Sequence, residues 1–303
     1  MADEAETRRC AFVAIIGAPN AGKSTLVNAL VGTKVTIVSH KVQTTRMPVR
    51  GIVMAGASQI VLVDTPGIFQ PKRRLDRAMV GAAWGRAGDA DIVLLLIDAA
   101  RGIDEDTGRI LTGLGRLKRP AILALNKVDR VEKESLLALA KELNERHTFD
   151  ETFMISALDG SGVAHLKARL AERAPPGPWH FPEDDVSDLP MRMLASEITR
   201  ERIYKWLHDE LPYSITVETQ AWKELRDGSV RIEQTIFVER DGQKGIVLGK
   251  GGHTVKQISS EARSEIASVI EKPVHLFLFV KVRERWGDDP ERYREMGLDY
   301  PKD

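Results

Sequence analysis

The chain has 303 residues, 43% of them hydrophobic, 29% charged and only 6% aromatic. That composition belongs to folded rather than disordered protein, and the length suits two domains or one large one. The 44 basic and 44 acidic residues cancel, which excludes a uniformly basic nucleic-acid coat but not a local basic patch. Cys10 is the only cysteine, so an intramolecular disulfide and a four-cysteine zinc site are both excluded. It reads as an inert free thiol. The acidic start, Met1 to Glu6, lacks the basic and apolar regions of a secretory signal. Apolar runs such as Ile92–Ile97 are far shorter than the roughly 20 residues that span a bilayer. A soluble, cytoplasmic protein is expected, with peripheral contact to a membrane left open.

The first half alternates short apolar blocks with helical patterns. Ala11–Ile16, Ile60–Val63, Ile92–Ile97, Ala121–Leu125 and Phe153–Ile155 read as buried strands bounded by Gly, Pro or Asp. Between them lie helices such as Glu132–Arg146, with a broad apolar face formed by Leu136, Leu137, Leu139, Ala140 and Leu143. Strands separated by helices predict an α/β domain, a mostly parallel sheet with helices on both faces. Ligands then bind beyond the carboxyl ends of the strands. Ala174–Pro190 carries five prolines and four acidic residues. It reads as a semi-rigid linker, or else as an ordered excursion packed on one domain. The second half predicts a helix near Met191–Glu210, strands at Ser214–Thr219, Val230–Val238 and Val274–Val282, and a helix over Thr254–Glu271. The order α-β-β-α-β is an α+β domain. The expected layout is residues 1–173, a linker at 174–190, and residues 191–303.

Gly17-Ala18-Pro19-Asn20-Ala21-Gly22-Lys23-Ser24, followed by Thr25, matches the G-x-x-x-x-G-K-[ST] phosphate loop in full, between a predicted strand and a predicted helix. Backbone N–H groups and the helix N-terminus would cradle phosphates, Lys23 would meet the β- and γ-phosphates, and the Ser24 hydroxyl would face Mg²⁺. Asp64-Thr65-Pro66-Gly67 can supply an acidic group to the Mg²⁺ shell and a backbone N–H to the γ-phosphate. Asn126-Lys127-Val128-Asp129 suits guanine. The Asp129 carboxylate can accept from N1–H and the exocyclic amine, donors that adenine lacks. Asn126 can tie loops together, the Lys127 stem can cover the base, and the backbone of Ser156-Ala157-Leu158 can meet the guanine oxygen.

In the second half, Gly249-Lys250-Gly251-Gly252 lies between the apolar run Ile246–Leu248 and an amphipathic helix, the layout of a KH loop that clamps single-stranded RNA. Nine Lys/Arg against five Asp/Glu from Arg240 to Arg285 make a basic patch that the overall neutrality hides.

These four nucleotide motifs follow the order used by translation-factor-type GTPases, a resemblance covering residues 11 to about 170. It implies GTP or GDP as ligand with Mg²⁺. It also places a first switch between Ser24 and Asp64, where Gln43-Thr44-Thr45-Arg46 falls and Thr45 is expected to close on the metal. Lys23, Asn20, Thr45 and Gly67 are then the residues expected to act on the transferred phosphate. Ras-like enzymes orient water with a glutamine after Asp-x-x-Gly; here that residue is Ile68. GTPases resembling this one hold K⁺ with an asparagine placed as Asn20 is, which implies a K⁺-stimulated reaction. With the glycine loop and the tail Trp286-Gly-Asp-Asp-Pro, nearly the whole chain resembles the Era family of TrmE-Era-EngA-like GTPases with a C-terminal type II KH domain. That resemblance implies a monomeric switch in 30S ribosomal subunit assembly, binding the 3′ end of 16S rRNA and touching the inner membrane face. Three rivals stay open at this point. The C-terminal domain could bind a protein or membrane partner, nucleotide could serve structure alone, or the chain could modify RNA. The last has no cofactor motif and no suitable cysteine in its favour.

Overall fold

The computed structural model describes residues 7–41, 44–117, 119, 121–209, 211–284 and 286–301. Met1 to Glu6, Gln43, Glu210 and Arg285, which figure in the sequence reading, lie outside the described residues. The chain divides into two compact units, 1–36 with 45–188 and 294–303, and 37–44 with 189–293.

The first unit is built on a six-stranded sheet in the order β2-β3-β1-β4-β5-β6. Its strands are β1 (Arg9–Ile16), β2 (Val49–Ala55), β3 (Ser58–Asp64), β4 (Ile92–Asp98), β5 (Ala121–Asn126) and β6 (Glu151–Met154). All neighbours are parallel except β2 and β3. The helices are α1 (Lys23–Val31), α2 (Arg74–Asp89), α3 (Glu105–Leu117), α4 (Lys133–Arg146) and α5 (Val163–Arg173). Strands covered on both faces read as continuous apolar runs. On β1, Val13 and Ile15 join one core with Leu26 of α1 and Leu166 of α5. Ala14 and Ile16 point the other way, into a core with Ala83 of α2, Ile110 of α3 and Leu136 of α4. Leu137, expected on the same face of α4, is exposed instead because the helix buries a narrower stripe. The parallel strands therefore send all their carboxyl-end loops to one edge.

The reading missed β2. Pro48 precedes it and Arg50 and Gly51 break its apolar run, so its pairing is tertiary: it is held antiparallel to β3 across a two-residue connection with Gly56 in the left-handed region. Residues 174–188 form the ordered excursion rather than a solvated linker. Arg9 bridges Pro176, Ser187 bridges Gly51, and the Trp179 indole N–H donates to the Ala57 carbonyl at 3.0 Å. Proline denies this segment a helix, but its carbonyls and flanking N–H groups still pair with the sheet margins.

The second unit holds α6 (Met191–Trp206), β7 (Thr216–Glu224), β8 (Val230–Val238), α7 (Asp241–Leu248), α8 (His253–Ile270), β9 (Val274–Val282) and the start of α9 (Pro290–Glu295). Its sheet runs β7-β8-β9, antiparallel and then parallel. Ile198, Ile232, Ala262 and Leu276 centre one core, and Ile203, Ile236, Val247 and Ile258 another. The order is α-β-β-α-α-β, one helix more than expected. Ile246–Leu248 ends α7, whose Gly242 and Gly245 disguise it by their low helix propensity. The Gln243 Oε1 accepts the backbone N–H groups of Glu239 and Arg240, closing its first turn. α6 stops at Trp206, short of the expected Glu210.

The same unit takes residues 37–44. The Glu201 carboxylate of α6 accepts the Val38 N–H at 2.8 Å, Arg200 donates to the Thr44 carbonyl, and Lys41 donates to the Leu207 carbonyl.

Candidate functional site

The loops after β1, β3, β5 and β6 meet at one edge of the first sheet, and they carry the four motifs. Residues 17–22 wrap the N-terminus of α1. Gly22 sits at φ 99°, and a Cβ there would lie 2.3 Å from the Asn126 Nδ2, so the position admits only glycine. Lys23 is buried, and its Nζ donates to the Gly17 carbonyl at 3.1 Å and the Ala18 carbonyl at 2.9 Å. The loop thus folds back on its own lysine. Burial pulls the Lys23 ammonium down to about 8, against the opposing pull of Asp64.

Asp64 ends β3 and is fully buried. Its Oδ2 accepts three hydroxyls: Ser24 at 2.7 Å, Thr36 at 2.9 Å and Thr45 at 3.2 Å. Ser24 and Thr45 lie 3.0 Å apart. The Asp64 Oδ1 is buried with no hydrogen-bond partner among the described residues. Burial raises its carboxyl pKa, opposed by the Ser24 hydroxyl, Lys23 and the two threonines. A carboxylate oxygen left unpaired beside converging hydroxyls is the donor set a hard divalent cation takes. The structure therefore brings Ser24, Thr45 and Asp64 together, and Thr25 follows on α1. Thr65 is anchored by its hydroxyl to the Ile15 carbonyl at 2.7 Å. Pro66 and Gly67 continue that loop, and Gly67 faces Pro19 of the phosphate loop so closely that a Cβ would sit 3.0 Å from it. The Ile68 side chain is buried in the core on the α2 side of the sheet and faces away from water.

Asn126 ends β5, 2% exposed, and clasps two loops. Its Nδ2 donates to the Ala21 carbonyl at 2.8 Å and its Oδ1 accepts the Ala157 N–H at 2.9 Å. Lys127 adopts φ 65°, and its Nζ donates to the Asn20 carbonyl at 2.8 Å and pairs with Asp98 at 2.6 Å. Val128 N–H donates to the Ile155 carbonyl at 3.3 Å, and the Asp129 carboxylate is partly exposed, 3.7 Å from the Arg130 guanidinium. Ser156 is buried and Ala157 nearly so, whereas Leu158 is exposed. Asn20 itself is left-handed, φ 63°.

Sequence reasoning missed two residues. Asp98 locks Lys127, and its only signal is an acid closing the run Ile92–Ile97. Thr36, which bonds Asp64, gives no signal in the sequence.

In the second unit, Gly249 follows α7, Lys250–Gly252 makes one tight turn, and α8 begins at His253. Gly249 has φ 70° and ψ 172°, and a Cβ there would meet the Thr254 hydroxyl at 2.2 Å and the Thr254 amide nitrogen at 2.9 Å. Lys250 is exposed, and so is Ile246 one helical turn before the loop. A cationic, glycine-built turn beside an exposed aliphatic side chain can take a phosphodiester backbone with its base against the aliphatic group.

Fold and site together define a P-loop GTPase with an appended KH domain. The family described as 50S ribosome-binding GTPase matches residues 12–127, and the KH domain family matches residues 210–287. GTPase Era of Afipia carboxidovorans is 64% identical over 301 residues, covering 99% of this chain and 98% of that protein. GTPase Era of Brucella suis is 64% identical over 298 residues, covering 98% and 96%. Aquifex aeolicus Era, a single-substitution variant bound to GDP and aluminium fluoride, aligns with TM-score 0.90 at 38% identity over 95% of this chain and 99% of that one. Era in complex with MgGDPNP and nucleotides 1506–1542 of 16S ribosomal RNA aligns with TM-score 0.90 at 38% identity, over 96% and 99%. The chain belongs to the Era family of GTPases.

Proposed function

We propose that the chain is a GTP-driven switch that binds 16S rRNA near its 3′ end through the KH domain and acts in assembly of the 30S subunit. The observation that carries this reading is the Asp64 carboxylate, one oxygen accepting Ser24, Thr36 and Thr45 and the other buried and unpaired. Ser24, Thr45 and Asp64 would hold Mg²⁺, directly or through water. When bound, Mg²⁺ neutralises charge on the β- and γ-phosphate oxygens. Lys23 gives up its carbonyl partners for the phosphates, Gly67 offers its N–H to the γ-phosphate, and Asp129 with Ala157 reads guanine in the frame that Asn126 holds. Ile68 is packed in the core, so water positioning falls to the loop backbone and to charge at Asn20. Asn20 would hold a K⁺ that supplies that charge, and equal turnover in K⁺ and Na⁺ would remove it from the reading.

Residues 37–44 support the coupling between nucleotide and RNA. They bond to the KH unit through Glu201 and Arg200 of α6 and Leu207 just beyond its end, while Thr36 and Thr45 on either side bond to Asp64. A change at the γ-phosphate pulls on both ends of a segment anchored on the RNA-binding unit. By linkage, RNA must shift GTP affinity by the same factor as GTP shifts RNA affinity.

The protein works as a monomer at the small subunit in the cytoplasm. Among the described residues, no helix is long and apolar enough to cross a membrane, so inner-membrane contact in this reading is peripheral and is tested by vesicle flotation. The decisive experiment is crosslinking and sequencing of bound RNA with the protein held in GTP-analogue and GDP forms. Enrichment near the 16S 3′ end in the analogue form, lost in Gly252→Asp, is expected. Scattered RNA in both forms would send the target choice to a protein partner.

A further inference from the structure

The outer face of the KH sheet carries a feature that the glycine loop does not use. Alternate residues of β9 point away from the core: His275, Phe277, Phe279 and Lys281 are all exposed. Phe277 is 41% and Phe279 49% exposed, and they are the only aromatic side chains among the large exposed hydrophobic residues described. A sheet face packed only for stability would place polar residues there. β9 is also an edge strand, so nothing in the sheet lies beyond it.

The charge around the two rings is positive. Arg231 of β8 stacks its guanidinium over the Phe277 ring, 4.5 Å from the centroid. The two carboxylates of this face are already paired. Glu233 holds Arg231 at 2.7 Å, and Glu218 holds Arg292 at 2.6 Å and Arg283 at 3.4 Å. Lys223 and Lys281 are left exposed without an acidic partner among the described residues. Arg283 and Arg292 thus close the β7 side of the face, and the β9 side stays exposed among the described residues.

We propose that this face is a second binding surface for single-stranded nucleic acid, with bases stacking on Phe277 and Phe279 and the backbone running along Lys223, Arg231 and Lys281. Rings two residues apart on one strand stand roughly 7 Å from each other, within the reach of consecutive unstacked nucleotides. Every base has a π-face, so this surface adds affinity with little sequence preference. The partner is polyanionic because the unpaired side chains of the face are cations. The inference rests on the reading that the KH unit meets RNA, but it does not depend on the glycine loop.

The test uses the full chain and a fluorescein-labelled oligouridylate 12-mer, with binding read by anisotropy and contacts read by ultraviolet crosslinking and mass spectrometry. Uridine adducts are expected on the peptide containing Phe277 and Phe279. Phe277→Ala/Phe279→Ala should weaken binding about tenfold or more, with melting temperature and GTP turnover kept as controls for folding. Phe277→Tyr/Phe279→Tyr, which keeps both rings, should bind as the parent does. In a Gly252→Asp background the residual binding should disappear with the two phenylalanines. Unchanged affinity in the double alanine variant, with adducts confined to residues near the glycine loop, would overturn the proposal and assign the face to a protein partner or a second copy. If Gly252→Asp also left binding unchanged, the KH reading would fall with it; if only Gly252→Asp weakened binding, the loop would stand and the face would fall.

Discussion

Gly252 is the position at which the proposed RNA binding should be removable while the fold is kept. It adopts φ 77°, and a Cβ there meets nothing nearer than the flexible end of Lys256 at 4.0 Å. Asn and Asp tolerate this conformation better than other residues, so either costs about 1 kcal/mol or less in stability. Gly249 is different: its Cβ would meet the Thr254 hydroxyl and amide, and its backbone conformation is nearly confined to glycine, at a cost of about 1–3 kcal/mol before any clash. The informative pair is therefore Gly252→Asn and Gly252→Asp, which share a shape and differ by one charge. A carboxylate about 5 Å from an RNA phosphate is repelled by about 1 kcal/mol at the dielectric of water and about 3 kcal/mol at the effective value near a protein surface. Gly252→Asp should thus bind a single-stranded 16S 3′-end oligonucleotide about 5- to 150-fold more weakly than Gly252→Asn. Anisotropy at low salt measures the gap, and it should narrow as salt rises, because screening sets in over about 10 Å at 0.1 M. Thermal melts of the two variants should coincide. Equal affinities for the two variants would refute the assignment of this loop to the phosphate backbone.

Gly249→Ala should lower the melting temperature well below that of Gly252→Ala, and equal melts would mean that the Thr254 contact yields freely. Asn126→Ala leaves the Ala157 N–H and the Ala21 carbonyl without their partner. Each such loss costs about 1–3 kcal/mol, so GDP affinity measured by calorimetry should fall at least tenfold with little change in the second unit. Lys23 provides a pH signature. Its folded value of about 8 lies below the ordinary lysine range, so between about pH 8 and 10.5 the folded, nucleotide-free protein binds fewer protons than the unfolded chain. Its stability therefore rises with pH through that window, by up to about 3 kcal/mol relative to Lys23→Met in urea titrations. Parallel curves for the two proteins would refute the buried lysine. Cys10 is buried and its thiol is pushed up by desolvation, so it should react with iodoacetamide at pH 8 many times more slowly in the folded protein than in urea.

The chemistry was legible in the sequence because it is carried by short contiguous segments. Residues 17–24, 64–67, 126–129 and 249–252 each hold within four to eight consecutive positions the glycines, charges or amides their role needs, and a parallel sheet delivers the loops after its strands to one edge. The apolar blocks of β1, β4 and β5 were equally plain, since strands buried on both faces need no alternation. What the sequence did not show depends on partners distant in the chain. β2 is a strand because β3 lies beside it. Residues 174–188 are ordered because the margins of the first sheet supply partners for proline-rich backbone. Thr36 becomes part of the site through Asp64, 28 positions away, and Asp98 through Lys127. The positive, aromatic face of β9 also needed the structure. Alternation along one strand places Phe277 and Phe279 on the same side, but only the pairing with β8 and the placement of Arg283 and Arg292 over β7 decide that this side stays open. Local chemistry is written in consecutive residues; which groups are buried, paired or left bare is decided by neighbours that only folding brings close.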